Sequence, residues 1–168
     1  MGQTFTSLLT HVIFSTKGRL PLLDQDIRPR LFAYMGGIIR ELGGVDLIVN
    51  GPADHVHQLV SLPPTVGLSA VMRVQKANSS KWVHEQWPRQ QAFAWQSGYG
   101  AFSVSRSNVE TVREYIAKQE EHHKRVTFQE EFLAFLKRHG IAYDERYLWE
   151  WPSTPAALCR PCGAWEDN

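Results

Sequence analysis

The sequence predicts an α+β protein in which an antiparallel sheet carries helices on one face. Segments rich in β-branched and aromatic residues alternate with segments of helical periodicity in the order β-α-β-β-α-β. Asn-Gly-Pro at 50–52 has turn chemistry and predicts that the second and third strands pair as a hairpin. Two further helical segments follow. This order is that of the ferredoxin-like, split βαβ plan, to which a later helix and a C-terminal helix are added.

The first half of the chain supplies three strands and two helices of this plan. The first strand is predicted over 4–17, the hairpin strands over 45–51 and 55–62, and the second helix over 68–86. The first helix starts after Asp24 or Asp26 as a capping residue and stops at Gly43-Gly44. Its apolar residues recur at helical spacing; they are Ile27, Leu31, Tyr34, Ile38 and Leu42.

The second half begins with a strand predicted over 92–105. A helix capped by Ser107 or Asn108 is predicted over 109–125, and a last helix over 127–140 ends at Gly140. Residues 1–150 therefore form the predicted domain. Residues 151–168 are rich in Pro and small residues and are predicted to be a flexible tail.

Composition and charge exclude several classes of protein. The chain has 168 residues, 43% hydrophobic and 21% charged residues and a formal net charge of +1, as in ordinary soluble domains. No apolar run is long enough to cross a bilayer, so no membrane partner is expected. Two cysteines, Cys159 and Cys162, cannot make a disulfide framework, and an isolated pair is a weak zinc signal. The absence of a secretory signal pattern leads us to expect a cytoplasmic protein.

A His-x-His pair in the third strand is the first candidate site. Side chains alternate along a strand, so His55 and His57 share one face, whereas Val56 and Val60 share the face that the two helices would cover. The histidines would then look out from the open side of the sheet. Two converging imidazoles can bind a divalent metal, and they can equally be two surface histidines. Asp54 precedes them and, by alternation, is expected to shape the turn more than to bind a metal.

A second candidate lies on the helix that follows the fourth strand. Tyr115 and Gln119 in "YIAKQ" are four residues apart and are predicted to share one helical face. His122 lies near the same face, although "EEHHKR" is typical of a solvated helix end.

These motifs together resemble the single-tyrosine HUH transposases of small bacterial insertion sequences, including their relatives associated with repeated extragenic palindromes. The resemblance rests on five motifs in the family's order over roughly residues 5–150: "THVIFSTKGRLPLL", "ADHVHQLVSLP", "SSKWVHE", "WQSGYGAFSVS" and "VREYIAKQEEHH". Gln58 departs from the family, which usually has an aliphatic residue at that position on the covered face.

The resemblance implies a mechanism. Tyr115 would attack a phosphodiester of single-stranded DNA, form a 5′-phosphotyrosine bond and release a 3′-hydroxyl that can later rejoin DNA. His55, His57 and Gln119 would hold the metal ion that stabilises the phosphate's developing charge. An amide beside two imidazoles suits Mg²⁺ or Mn²⁺ better than a structural zinc ion. The resemblance also implies single-stranded DNA with hairpin ends as partner, and a homodimer in which the catalytic helix of one subunit commonly completes the site of the other.

Basic and aromatic residues offer candidate DNA contacts. The basic ones are Lys17, Arg19, Arg73, Lys76 and Lys81, and of these Lys81 lies in the family motif "SSKW". Three tryptophans, Trp82, Trp87 and Trp95, can stack on unpaired bases, although core packing is the more common role for Trp82 and Trp95.

Two alternatives to an active transposase stay open. A domesticated relative that processes hairpin DNA would have the same site residues. A catalytically silent nucleic-acid-binding module would need neither the tyrosine nor the glutamine.

Overall fold

A four-stranded antiparallel sheet organises the protein. The computed structural model describes residues 3–149. Within them the strands lie in the order β2-β3-β1-β4. Their bounds are β1 (Leu9–Ser15), β2 (Val45–Asn50), β3 (His55–Ser61) and β4 (Gly100–Ser103). The helices of the described residues are α1 (Ile27–Glu41), α2 (Leu68–Gln86), α3 (Val109–Ala117), α4 (Gln119–His122), α5 (Phe128–Arg138) and α6 (Glu145–Leu148). The α+β prediction is confirmed.

Helices α1 and α2 cover one face of the sheet, as predicted. Alternate residues of the two central strands point into this layer, among them Phe14 of β1 and Val56 and Val60 of β3. Burial of such apolar side chains is the main favourable contribution to folding. The helical residues that meet them include Leu31, Met35, Val71 and Met72.

A buried polar group within this layer is fully accommodated. Gln58 is 1% exposed; its Nε2 donates to Oδ1 of Asp46 at 3.1 Å. Its Oε1 accepts from Nε2 of Gln75 at 2.9 Å. The departure from the family's aliphatic residue is therefore matched by hydrogen-bond partners on β2 and α2.

The opposite face, which the sequence predicted to be open, is covered. Helix α3 packs on β2 and β3 through Val109 and Ile116, which meet Leu9 and Leu59. Helix α5 packs through its own apolar stripe in a second cluster, which contains Ile13, Phe102, Phe128 and Leu136. The expectation of an open face was wrong because the later helices are amphipathic and this side of the sheet supplies the apolar surface that they need.

The predicted helix over 109–125 is divided at Lys118. Its backbone leaves the helical region (φ −97°, ψ 15°), and α4 begins at Gln119. Nδ2 of Asn50, the last residue of β2, donates to the carbonyls of Ile116 and Ala117 at 2.9 and 3.1 Å. These contacts satisfy carbonyl groups that would otherwise lack partners where α3 ends, and they tie that end to the sheet.

The fourth strand is shorter than the predicted 92–105. Thr16 and Trp95 form an isolated bridge, and regular pairing starts only at Gly100. Between them, the Nζ of Lys76 donates to the carbonyls of residues 96–98. Those carbonyls are thereby directed at α2 and not at a neighbouring strand.

The turn before the histidine strand depends on a glycine. A Cβ at Gly51 would overlap the backbone carbonyl of His55. The close approach of the two backbone segments therefore requires a residue without a side chain. No helix among residues 3–149 is both long and apolar enough to span a membrane.

Candidate functional site

The two histidines of β3 lie side by side in the space between the sheet and α5. His55 is 1% exposed and His57 is fully buried. Nδ1 of His55 donates to Oδ1 of Asp54 at 2.7 Å, and Nδ1 of His57 shares a hydrogen bond of 3.0 Å with Nε2 of His11 on β1. Because each Nδ1 is engaged, each Nε2 is the nitrogen left for a ligand role.

Two residues from the later helices complete the cluster. Glu131 of α5 places Oε2 at 3.2 Å from Nε2 of His57, at 3.0 Å from Nε2 of His123 and at 3.8 Å from Nε2 of His55. Nε2 of His55 also lies 2.9 Å from Nε2 of His123. One ligand atom from each of these four residues lies within 4.8 Å of all the others.

The donor set fits a divalent metal ion. Among the described residues, two buried atoms of this region have no hydrogen-bond partner: Nε2 of His57 and Oε1 of Gln119. Nε2 of His57 approaches Glu131 without hydrogen-bond geometry. An orphaned imidazole nitrogen beside a buried carboxylate is the arrangement expected of a metal site. Three imidazoles and one carboxylate are ligands that divalent transition metals accept.

Tyr115 and Gln119 reach the same carboxylate from the opposite side. The hydroxyl of Tyr115 donates to Oε1 of Glu131, and Nε2 of Gln119 donates to the same oxygen at 3.2 Å. The chain thus gathers the four residues singled out in the sequence, His55, His57, Tyr115 and Gln119, around Glu131. The predicted shared helical face of Tyr115 and Gln119 does not exist as one helix, because the kink at Lys118 lies between them.

Burial keeps the sheet histidines neutral. It lowers the pKa of His57 to about 4, against the opposing effect of Glu131, and it lowers the pKa of His11 to about 3 with a smaller contribution from His57. It also lowers the pKa of His55, although the contact with Asp54 opposes the shift. Neutral imidazoles keep the lone pair that a metal ion needs.

The pKa values of Glu131 and Tyr115 shift in opposite directions. Burial opposes ionisation of Glu131, but the hydrogen bond from His123 and the closeness of His57 outweigh it, and the pKa of Glu131 falls below the usual value. Burial and then the Glu131 carboxylate raise the pKa of Tyr115, so the phenol stays protonated while the carboxylate beside it carries its full charge.

Asp54 has a positioning contact in addition to its place in the turn. Its carbonyl accepts from the backbone N–H of Thr16 at 2.8 Å, and its carboxylate holds Nδ1 of His55. A carboxylate in this position fixes the tautomer and orientation of a metal-binding histidine. His122, which the sequence placed near the helical face of Tyr115 and Gln119, has Nε2 at 3.5 Å from Oε1 of Glu131, whereas the neighbouring His123 lies in the cluster.

Sequence reasoning missed three residues: His11, His123 and Glu131. Glu131 carried a signal, since it lies three residues after Phe128 and four before Phe135, on the apolar stripe of a predicted helix. His11 carried none, because its proximity to His57 depends on which strands pair.

The predicted DNA contacts lie in different places. Lys17 and Arg19 lie in a short turn directly after β1. The last residue of β1, Ser15, pairs with His55, so the two basic residues lie at the end of the sheet that holds the site. Arg73 and Lys81 are exposed on α2, behind the sheet. Lys76, also on α2, is directed inward, and burial lowers its pKa to about 8.

The three candidate tryptophans contact other residues of the protein. Trp95 is 8% exposed and its Nε1 donates to Oγ of Ser79 at 2.8 Å. Trp82 stacks on Tyr34 with ring centroids 4.7 Å apart, and Nε1 of Trp87 donates to Asp26. Core packing is the role that the structure gives Trp95.

Comparison with known proteins identifies the family to which the chain belongs. The sequence profile described as "Transposase IS200 like" matches residues 4–119. The chain belongs to the IS200-like transposase family. The resemblance stated from the motifs is thereby confirmed, and membership assigns this transposase to DNA transposition, an enzymatic DNA-processing activity. The matched segment contains the two histidines of β3, Tyr115 and Gln119, and it ends before His123 and Glu131.

Solved structures share the transposase's fold. A putative transposase from Deinococcus radiodurans R1 is 21% identical over 71% of this chain and 96% of its own, with a TM-score of 0.58. A REP-associated tyrosine transposase bound to a REP hairpin is 12% identical over 74% of this chain and 72% of its own, with a TM-score of 0.51. A search of curated proteins found no match.

Proposed function

We propose that this transposase cuts and rejoins single-stranded DNA through a 5′-phosphotyrosine formed on Tyr115, with a divalent metal ion held beside it. The observation that supports this most strongly is the shared carboxylate: Oε1 of Glu131 accepts from Tyr115, while Oε2 faces Nε2 of His57 and His123. A nucleophile and a metal-ligand set that meet on one side chain can act on one phosphate.

The proposed ligands are Nε2 of His55, His57 and His123 and Oε2 of Glu131. Gln119, which the family resemblance implies as a ligand, donates through Nε2 to Glu131 and leaves Oε1 without a hydrogen-bond partner, so Oε1 stays a proposed ligand. Nitrogen ligands favour Mn²⁺ over Mg²⁺, which prefers an all-oxygen shell. When bound, the ion would polarise a non-bridging phosphate oxygen and stabilise the charge that develops there.

The proposed step exchanges one bond at phosphorus and moves the phenol's proton to a residue of the chain. Oη of Tyr115 attacks phosphorus, the bond from phosphorus to the 3′-oxygen breaks, and that oxygen leaves as a hydroxyl with a proton from water. Oε1 of Glu131, which already accepts the phenol's hydrogen bond, is the nearest group to take the phenol's proton. The phosphodiester energy stays in the covalent bond, so a 3′-hydroxyl can reverse the step without ATP.

The partners remain proposals. Hairpin DNA is supported by the similarity of fold to a transposase whose structure includes a REP hairpin. The homodimer expected from the family remains a prediction for light scattering. Within this one chain Tyr115 and His57 both contact Glu131, which supports a site completed inside a single subunit.

A covalent-trapping assay tests the function. Labelled single-stranded hairpin DNA from the flanks of the protein's own gene is mixed with protein and Mn²⁺ and run on a denaturing gel. We expect a labelled protein band with the natural chain and with Tyr34→Phe, a matched tyrosine on the other face of the sheet. Tyr115→Phe, His57→Ala and chelator should each remove it.

Three results would count against parts of the proposal. A band that survives Tyr115→Phe would refute the nucleophile. A band that survives chelator would refute the metal requirement. Hairpin binding without any adduct would favour the silent binding module.

A further inference from the structure

A cavity of about 480 Å³ opens beside Tyr115, between α3, α5 and the end of β4. We call it the β4–α5 cavity. Tyr115, His11, Phe102, Phe135, Arg138 and His139 are among its lining residues. Its volume lies within the range of sites that hold small organic ligands. The proposed mechanism uses Tyr115 and Glu131 of this lining but not the aromatic part of the cavity, so the contents of that part are unassigned.

Aromatic rings form one wall of the β4–α5 cavity. Phe102 and Phe135 stack with centroids 5.1 Å apart and an interplanar angle of 27°, and His139 lies 4.8 Å from Phe102. Flat aromatic surfaces of this kind stabilise unpaired nucleobases by stacking, whatever their sequence. The wall therefore suits a planar heterocycle.

A cation lies at the mouth of the β4–α5 cavity. Arg138 is exposed and makes no ion pair with any residue in the described part of the chain. The nearby acidic residues are otherwise engaged, because Glu130 accepts from Thr127 in a capping box and Glu131 is buried among the histidines. A free guanidinium beside an aromatic wall can bind a phosphate group.

A second cavity of about 460 Å³ lies on the other side of the nucleophile and shares Thr111, Tyr115, His122 and Val126 with the first. Its lining holds two acidic residues, Glu114 and Glu121, and two basic ones, Lys118 and Arg125, but no phenylalanine. Tyr115 thus lies where two cavities meet, and the β4–α5 cavity is the one that has a wall of phenylalanine rings for a base.

We propose that the β4–α5 cavity binds one unpaired nucleotide next to the scissile phosphate. The base stacks against Phe135 and His139, whose rings are held in place by the buried Phe102, and the nucleotide's phosphate contacts Arg138. This inference rests on the proposed function, since it is attack by Tyr115 that brings the neighbouring nucleotide to this cavity. Seating that nucleotide would hold the scissile bond in line with the phenol oxygen.

Free mononucleotides test the cavity separately from cleavage. Each of the four deoxynucleoside 5′-monophosphates is titrated into the full-length protein in the presence of chelator, and binding is followed by NMR. We expect saturable binding of at least one of them. Arg138→Ala should weaken it about tenfold, the loss of roughly one charge-assisted hydrogen bond. Ala134→Trp, which fills the cavity from an exposed position on α5, should abolish it.

Lys137→Ala is the matched control, because Lys137 is an exposed cation on the same helix that does not line the cavity. Its affinity should equal that of the natural chain. If Ala134→Trp does not fold, the comparison of Arg138→Ala with Lys137→Ala decides the question.

Two outcomes would overturn the proposal: no saturable binding of any of the four mononucleotides, or affinities that neither Arg138→Ala nor Ala134→Trp changes. Failure of the proposed function has a different signature. If the protein forms a covalent adduct but binds no mononucleotide, the proposed function stands and the nucleotide-binding role of the cavity is refuted. If it binds mononucleotides but forms no adduct, the cavity binds nucleotides and the proposed function is refuted.

Discussion

Replacing Glu131 by glutamine tests the centre of the site, because the variant keeps the side chain's size and removes its charge. Glu131 is 4% exposed and accepts hydrogen bonds from Tyr115 and His123. A hydrogen bond to a charged group contributes roughly 1.5–3 kcal/mol, and the cost of burying the carboxylate offsets part of the sum. We expect Glu131→Gln to lower the free energy of unfolding by about 3 kcal/mol in metal-free protein, or the Tm by about 6–12 °C.

The loss of stability caused by Glu131→Gln should depend on pH, in a direction that the pKa shifts of Glu131 and His123 determine. Folding lowers the pKa of Glu131 from its ordinary value of 4.5. Its contribution to the free energy of unfolding is therefore complete above that pH and is lost as the pH falls through the pKa of the folded state. Folding raises the pKa of His123 from its ordinary value of 6.5. Its contribution to the free energy of unfolding is therefore complete below that pH and is lost as the pH rises through the pKa of the folded state. The difference between the two proteins should therefore be largest between these ordinary values.

Thermal unfolding followed by circular dichroism, with chelator, at about pH 5.5 and about pH 9 measures this difference. Glu41→Gln, an exposed carboxylate at the end of α1, is the control and should change little. In a parallel titration, Glu131→Gln should bind Mn²⁺ at least about 100-fold more weakly, as expected when a ligand is lost. Equal Tm values at about pH 5.5 would refute the ion-pair reasoning, and unchanged Mn²⁺ affinity would refute the ligand assignment.

Two further substitutions test how the cluster is held. Asp54→Asn removes the carboxylate that orients His55 and should weaken Mn²⁺ binding by about 10- to 100-fold, measured by the same titration; affinity equal to that of the natural chain would exclude the positioning role. Thr127→Ala removes the capping box with Glu130 at the start of α5 and should cost about 1 kcal/mol of stability, measured by denaturant unfolding. An unchanged free energy of unfolding would show that the cap does not stabilise the helix that carries Glu131.

Local patterns were enough to predict most of the fold. The second helix was predicted over 68–86 and is observed as Leu68–Gln86, because its interior has neither proline nor glycine and its flanking residues break the helix. The hairpin was predicted from Asn-Gly-Pro at 50–52, and β2 pairs with β3 as expected. The first strand was predicted over 4–17 and is observed as Leu9–Ser15, because β-propensity marks a segment and only pairing with a neighbouring strand fixes its ends.

Long-range contacts decided what local patterns missed. The break at Lys118 coincides with hydrogen bonds from Asn50, more than sixty residues earlier in the chain. His123, four residues after Gln119, is the histidine of this segment that belongs to the metal-ligand group. Residues 151–168, the predicted tail with its two cysteines, lie outside the described residues.

By itself the sequence determined which side chains are available for chemistry: a His-x-His on a strand, and a tyrosine followed after three residues by a glutamine. It also determined the order of strands and helices, since periodicity and turn residues are local properties. Only the tertiary structure decided that α5 would cover the histidine face and bring Glu131 to His57, His123 and Tyr115. The physical reason is that burial of a helix's apolar stripe carries every residue on that stripe into the core, including the Glu131 carboxylate that the histidines hold there.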